Sequence, residues 1–591
     1  MKLLIEDCAY KVKDVKSILD GLFTLQDVEG NISASYVGYY YNPKINDVVF
    51  ILPKVLIDEK GRVFGTGDGI SGYDPASLVN FDDANLEPHE AKFIYEFAVW
   101  IHRAIVVFND THAKNKIVLQ EQMESEGYGA KKKANTWLDV ILSLIRFAKE
   151  NQSFFTFILK NIHSGYNKIN WIRTIARTSA VVQGEQPVYL NPINKKRQIN
   201  FDEELIIIFF SILAYVSEHF GFKTATPFGF KLIKGAQFER YIDGYGKRKL
   251  RQIKHKYFSD VLVRLWELCY AFFDKAFQIK TAVTQREYLL VSDFHIVFEA
   301  MIEELIGDND VPNGLKEQAD GKLVDHFYTY KGLLTNHEEY NDMYYIGDSK
   351  YYKIGSTPGR ESVYKQYTYA RNVIQWNLNI FLNPTSKNEE KDRYRKIQLR
   401  DDLTEGYNVI PNFFISAKID PMSLSYTEKT ERHHSQPNIC RQFENRLYDR
   451  DTLIVSHYDI NFLFVLSLYA RANTGMIASW KSAIRKKFRE EIQKMLKERF
   501  EFYIITAHPD VDGQKWIQEN FKKVIGKTYR PFNDKNIFSV ALDKDRKYDQ
   551  ENNDLLSTLS QYFYVVKCPL GDDPYDHIKK LHKNGIPKTN P

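Results

Sequence analysis

The stretch that decides the fold runs Asp320-Gly321-Lys322-Leu323-Val324-Asp325-His326-Phe327-Tyr328. It resumes at Asn341-Asp342-Met343-Tyr344-Tyr345-Ile346-Gly347-Asp348-Ser349-Lys350-Tyr351-Tyr352-Lys353. Asp-Gly is a turn signal, and the branched and aromatic residues after it suit a strand. The second segment predicts another strand, and it ends in charge. Asp348 and Lys350 are two positions apart, so in a strand they share one face. If the two strands pair, Asp325 can lie beside Asp348. Toward the N-terminus, Phe294, Val297, Phe298, Met301, Ile302, Leu305 and Ile306 recur as a single helical stripe. Glu299 lies off that stripe next to Phe298, where a carboxylate can point from a packed helix into a neighbouring cleft. Taken alone, such a glutamate is most often a surface residue. Toward the C-terminus, Thr357-Pro358 reads as a helix start, with Val363, Tyr367, Ala370 and Ile374 as its apolar stripe.

Asp325, Asp348 and Glu299 beside a lysine suit one kind of chemistry. Hard oxygen ligands hold Mg²⁺, which keeps several waters and bridges to substrate phosphate. The ion stabilises charge on a phosphoryl group and lowers the pKa of an attacking water. Lys350 places a cation beside the nucleophile and the scissile phosphate. Adjacent carboxylates without a cation would repel and take up a proton. The bland alternative is an Asp348–Lys350 salt bridge, which contributes little when exposed.

Asp325 followed by Asp348-Ser349-Lys350, with Glu299 on the preceding helix, resembles the PD-(D/E)XK nuclease motif; Val324 stands where the motif's name puts proline. On the next helix, Gln366 and Tyr369 resemble the Gln and Tyr that follow the catalytic lysine in McrC-like and RecB-like nucleases. A Gln there would orient a phosphate or the attacking water. A broader resemblance, over roughly residues 35–500, is to the LlaJI restriction endonuclease family and McrC-like proteins. It is carried by Tyr36-Val37-Gly38-Tyr39, Val49-Phe50-Ile51-Leu52-Pro53-Lys54, Ile346 to Lys353, Tyr364-Lys365-Gln366-Tyr367, Arg446 to Leu453 and His457 to Leu463. The resemblance implies an α/β (α+β) restriction-endonuclease-like core sheet flanked by helices. It implies a Mg²⁺-dependent endonuclease of a prokaryotic restriction or anti-phage system cutting duplex DNA. Its site would comprise Glu299, Asp325, Asp348, Lys350 and Gln366, the three carboxylates being the metal ligands. An AAA+ GTPase of the McrB type is the implied partner. Two alternatives stay open, a non-cleaving DNA- or motor-binding scaffold and a repair or RNA nuclease of the same fold. Self-association is compatible with either.

The rest of the 591 residues bounds these readings. Hydrophobic residues at 43% and charged residues at 27% exclude disorder over most of the chain. Cys8, Cys269, Cys440 and Cys568 lie far apart, against a disulfide scaffold or a cysteine zinc site and in favour of a reducing, cytoplasmic setting. A net charge of +5 does not identify a nucleic-acid binder. The apolar run Leu205 to Val216 is too short to span a bilayer and reads as a buried helix. No GxxxxGK[ST] loop occurs, so a motor would have to be supplied in trans.

Four regions are expected: a β-rich 1–125 as the candidate partner-docking region, a mainly helical 126–285, a nuclease region 286–500 and an α/β extension 501–591. Gly65 to Gly72 reads as an exposed loop that could reach a partner, and Gly127 to Lys133 as a linker. Six Lys or Arg within 247–256, and Arg485, Lys486, Lys487 and Arg489 on a helix from Lys481 to Phe500, could track a phosphate backbone or form solvated faces. His433-His434 suggests a metal site, but neighbouring residues do not share a face. His457-Tyr458-Asp459 hints at acid–base work, with a packed strand-to-helix junction as the favoured reading.

Overall fold

The computed structural model describes residues 2–583 except 20–26, 29, 43, 46, 65–71, 82–83, 85, 122–136, 152–155, 162–168, 200–203, 221–229, 258–259, 282–286, 335–341, 354–357, 383–393, 395–396, 398, 434–437, 441–442 and 531–535. The expected glycine loop (all but its last residue, Gly72), the Gly127 to Lys133 linker, Thr357 and His434 lie outside the described residues.

An N-terminal sheet is built from β1 (Lys2–Ile5), β2 (Val37–Asn42), β3 (Asp47–Leu52), β4 (Val118–Glu121) and β5 (Glu287–Val291), in the order β1-β3-β2-β5-β4. The β2–β3 pair is antiparallel and belongs to the region expected to be β-rich. Gly38 is required where β2 meets β5, because a Cβ there would sit 2.2 Å from the Leu289 carbonyl oxygen. Helix α1 (Pro88–Thr111) buries Phe93, Phe97, Ile101, Ile105 and Phe108. Pro88 opens it and the Glu90 carboxylate accepts from the Glu87 amide at 3.1 Å.

The chain leaves this sheet at β4 and returns at β5, which pairs antiparallel with β4 through Tyr288 and Glu121. Between these strands lies the helical region, with α2 (Trp137–Glu150), α3 (Glu204–Phe220) and α4 (Asp260–Thr281) around a core of their own. The Leu205 to Val216 run lies within α3. Two short antiparallel strand pairs, 156–161 with 194–199 and 181–183 with 186–188, accompany the helices. The basic 247–256 stretch is tied down inside this region. Lys247 pairs with Asp274, and Lys249 and Lys256 with Glu204. Arg251 donates to the Tyr270 hydroxyl, and Lys254 lies 4.7 Å from the Trp266 ring centroid. Arg248, Arg251, Lys254 and Lys256 remain exposed, so the stretch is a solvated helix face with partners inside the region.

The second sheet comprises β6 (His326–Lys331), β7 (Asp342–Lys350), β8 (Pro411–Lys418), β9 (Thr430–Arg432), β10 (Asn438–Cys440) and β11 (Leu453–Asn461). Its order is β6-β7-β8-β11-β9, with β10 also on β11. β6 and β7 are antiparallel, whereas β7, β8 and β11 are parallel. Its helices are α5 (Phe294–Ile306), α6 (Arg360–Leu382), α7 (Phe462–Arg471) and α8 (Thr474–Arg499). One face carries Phe413 and Tyr458, whose rings pack on Phe488 of α8 at 5.2 and 3.9 Å between centroids. Alternation then puts Asp348, Lys350, Phe414, Ser416, His457 and Asp459 on the other face. The two sheets share one hydrophobic core. A third sheet, of β12 (Phe500–Ala507), β13 (Thr528–Tyr529), β14 (Ile537–Asp543) and β15 (Phe563–Lys567), has a separate core.

The stripe on α8 is as the sequence predicts, with Ile484, Phe488, Ile492, Met495 and Leu496 buried. Its basic residues correct the expectation of a DNA groove. Arg485 donates to the Ile306 carbonyl and pairs with Asp308 at 2.7 Å, with its guanidinium 4.5 Å from the Tyr328 ring centroid. Lys481 donates to Gly307 and Arg489 to Gly332. Lys487 donates to Thr430, and Lys486 pairs with Glu490. Lys481 and Arg485 thus satisfy carbonyls at the C-terminus of α5, where cations are favoured.

Candidate active site

Helix α5 buries all seven residues of its predicted stripe. That fixes the rotation of the helix, and Glu299 is left half-buried at the mouth of a cleft. Glu303, one turn on, is occupied otherwise: it pairs with Lys316 and takes a hydrogen bond with His326 Nδ1 at 3.1 Å. Burial pushes Glu303 up, but His326 and Lys316 outweigh it and hold the carboxyl below its ordinary value.

Asp325 immediately precedes β6. The β6–β7 register pairs His326 with Gly347, which brings Asp325 alongside Asp348. The Ser349 amide donates to Asp325 Oδ2 at 3.2 Å. Asp348 is buried and forms an ion pair with Lys350, whose ammonium lies 5.7 Å from the Phe414 ring centroid. The lysine contact is not aligned as a hydrogen bond, so Asp348 Oδ2 has no hydrogen-bond partner among the described residues.

The electrostatics tie these groups together. Burial pushes the Glu299 carboxyl up to about 7; Asp348 adds to the rise and Lys350 opposes it. Burial also pushes Asp325 well above its ordinary value, with Asp348 the next cause and Glu299 a smaller one. Glu299, Asp325, Asp348 and Lys350 therefore stand within one another's fields, although 51 residues separate the first from the last.

Helix α6 packs against β7 and β11. Gln366 is on its inner side and fully buried. Neither Nε2 nor Oε1 of its amide finds a partner among the described residues. The buried side of α6 is rotated from the expected stripe: Tyr369, Ala370, Val373 and Ile374 are buried, while Val363 and Tyr367 are only half-buried. Tyr369 is pushed up to about 12, by burial first and then by Asp325 and Asp348.

A cleft of about 790 Å³ runs between the two sheets' connections. Glu299 and Asp325 line one side, and His112, Lys114, Asn115 and Lys116, just before β4, line another. Lys114 and Lys116 are exposed. Sequence reasoning missed them because about 200 residues of chain separate them from the motif and no local pattern marks them.

These donors fit a hard divalent cation. Glu299 and Asp325 are pushed toward protonation by burial and by the charge of neighbouring carboxylates, Asp348 among them, and both buried amide atoms of Gln366 lack a hydrogen-bond partner among the described residues. Asp325, Asp348 and Glu299 would hold the ion.

At the far side of the same face, His457-Tyr458-Asp459 lies on β11, which runs directly into α7 with Tyr458, Ile460 and Phe462 fully buried, the packed strand-to-helix junction expected. His457 Nε2 is 2.7 Å from the Ser416 hydroxyl, and His433 Nδ1 is 2.8 Å from Asp459 Oδ2. Their spacing of two along β11 was the signal that places them on one face.

The fold is that of a mixed α/β protein. No family model and no curated protein matches the chain. Among solved structures it is similar to a chain of the cryo-EM structure of the Thermococcus gammatolerans McrBC complex. That match has 14% identity and a TM-score of 0.16, and covers 52% of this chain and 89% of the other. Among the described residues, no helix is long and apolar enough to cross a membrane.

Proposed function

We propose that the chain is a Mg²⁺-dependent endonuclease of the PD-(D/E)XK type, hydrolysing phosphodiester bonds of duplex DNA. The observation that carries this reading is the electrostatic coupling of Glu299 and Asp325, which line the cleft, to the Asp348–Lys350 pair, the two cleft carboxyls being pushed up by burial and by their neighbours' charge. A bound Mg²⁺ would supply Lewis acidity at the phosphate and an activated water. Lys350 sets a positive charge beside the reacting phosphate and offsets negative charge as it develops. Gln366, whose amide donor and acceptor are both unspent among the described residues, orients the water or a phosphate oxygen. Lys114 and Lys116, which line the same cleft as Glu299 and Asp325, hold flanking phosphates and keep the polyanion from being repelled.

The resemblance to LlaJI-type and McrC-like proteins supports a role in a restriction or anti-phage system in the cytoplasm, with an McrB-like AAA+ GTPase as motor. The sequence carries no P-loop of its own, in keeping with a motor in trans. The test is plasmid cleavage in Mg²⁺, with and without the co-expressed motor. Asp348→Ala and Lys350→Ala should each lose at least about 100-fold in rate, with the circular dichroism spectrum and DNA binding retained. Cleavage by either variant at the wild-type rate overturns the assignment.

A further inference from the structure

We propose that His433, His457 and Asp459 form a second cation site, selective for a borderline transition-metal ion such as Zn²⁺ over Mg²⁺. One ligand atom from each of the three residues lies within 4.8 Å of the others, and all three side chains are half-buried. The site stands apart from the carboxylate cluster and does not rest on the nuclease reading.

The sheet assembles it. His457 and Asp459 alternate on β11 and so share a face. His433 follows β9, the strand antiparallel to β11, and its amide donates to the His457 carbonyl at 2.8 Å. That backbone bond brings the imidazoles together, with ring centroids 4.5 Å apart and planes 30° from parallel. Lys350, Ser416 and Asp459 are successive register partners across β7, β8 and β11. Two strand spacings therefore separate the clusters, about 10 Å along the same face.

The donor chemistry separates the two sites. Glu299, Asp325 and Asp348 offer only hard oxygens, the set Mg²⁺ takes. Two imidazoles and one carboxylate form a mixed nitrogen–oxygen set of the kind that holds Zn²⁺ through three protein ligands, with a fourth position left for water. The surroundings match a ligating histidine as well. The Ser416 hydroxyl holds His457 at Nε2, as outer-shell partners orient metal-bound imidazoles, and leaves its other nitrogen for a ligand. An ion would displace Lys418, which lies 3.4 Å from Asp459 Oδ2; its side chain is 53% exposed and can turn to solvent.

The experiment uses the full-length, chelator-treated chain carrying Asp348→Asn, which cripples the carboxylate cluster. Zn²⁺ is titrated by calorimetry in the presence of excess Mg²⁺, and Co²⁺ by its visible absorption. The expected result is one Zn²⁺ per chain, with affinity reduced at least tenfold by His457→Ala and by His433→Gln, and a Co²⁺ band that either change removes. His433→Gln lies outside the strands and keeps the test meaningful if His457→Ala fails to fold. Absence of Zn²⁺ binding by the folded Asp348→Asn chain, or undiminished binding in the folded His433→Gln variant, overturns the site.

Discussion

Replacing Glu299 with Gln should stabilise the metal-free protein at alkaline pH, and the size of the effect follows from the cleft. The folded protein holds this carboxyl at about 7, against an ordinary value of 4.5, because burial and the Asp348 charge oppose its ionisation. A raised carboxyl favours folding most where it is protonated. Its contribution is complete below 4.5 and is lost as pH rises through about 7. The difference corresponds to roughly 3 kcal/mol, and partial solvent access reduces it to about 2. Glu299→Gln keeps the shape and removes the charge. Its advantage over wild type should be near zero at pH 4.5, grow to about pH 7 and level off above it. For a cooperative unit of this size, about 2 kcal/mol moves the melting temperature by roughly 4–8 °C. Thermal melts of both chains in chelator at about pH 5, 6, 7 and 8 read the effect directly. Under the proposed function, in which this carboxylate would hold the ion, Mg²⁺ should then raise the wild-type midpoint more than the variant's. A gap between variant and wild type that stays flat or shrinks with pH would refute the argument.

Gln366→Leu should raise metal-free stability by about 1–3 kcal/mol in urea titration, since it removes two buried polar atoms without partners among the described residues, while lowering the cleavage rate. Lys114→Glu with Lys116→Glu should weaken duplex DNA binding and flatten its salt dependence by about two counterions in fluorescence anisotropy, with the fold intact by circular dichroism. Arg485→Met should cost about 3 kcal/mol or more, because Asp308 and the Ile306 carbonyl lose their partner; urea titration at several salt concentrations would show it.

The candidate site was legible because both of its signals are local. Alternation along a strand puts Asp348 and Lys350 on one face, and the stripe from Phe294 to Ile306 fixes which way Glu299 points. What stayed hidden depends on partners distant in sequence. Glu287 to Val291 reads as an ordinary short apolar strand, and nothing in it says that it joins Val37 to Asn42 rather than the sheet that follows. The charges of Arg485 and Arg489 suggested solvent or phosphate, yet they are spent on main-chain carbonyls. A helical pattern reports which side is apolar, not which backbone groups lie beyond it. Gln366 was picked out by resemblance, and only packing shows its amide to be buried without partners among the described residues.

The helical region is threaded between two strands that lie side by side, Val118–Glu121 and Glu287–Val291. Entry and exit at one doorway mean that this module could be lengthened, trimmed or exchanged without rerouting the chain through the half that carries the carboxylate cluster. The cost sits at the hinge, where fully buried Glu287 faces Lys275 at 3.9 Å and accepts the Trp137 amide. A graft that kept the doorway but dropped Lys275 would take away the cation that faces this buried carboxylate.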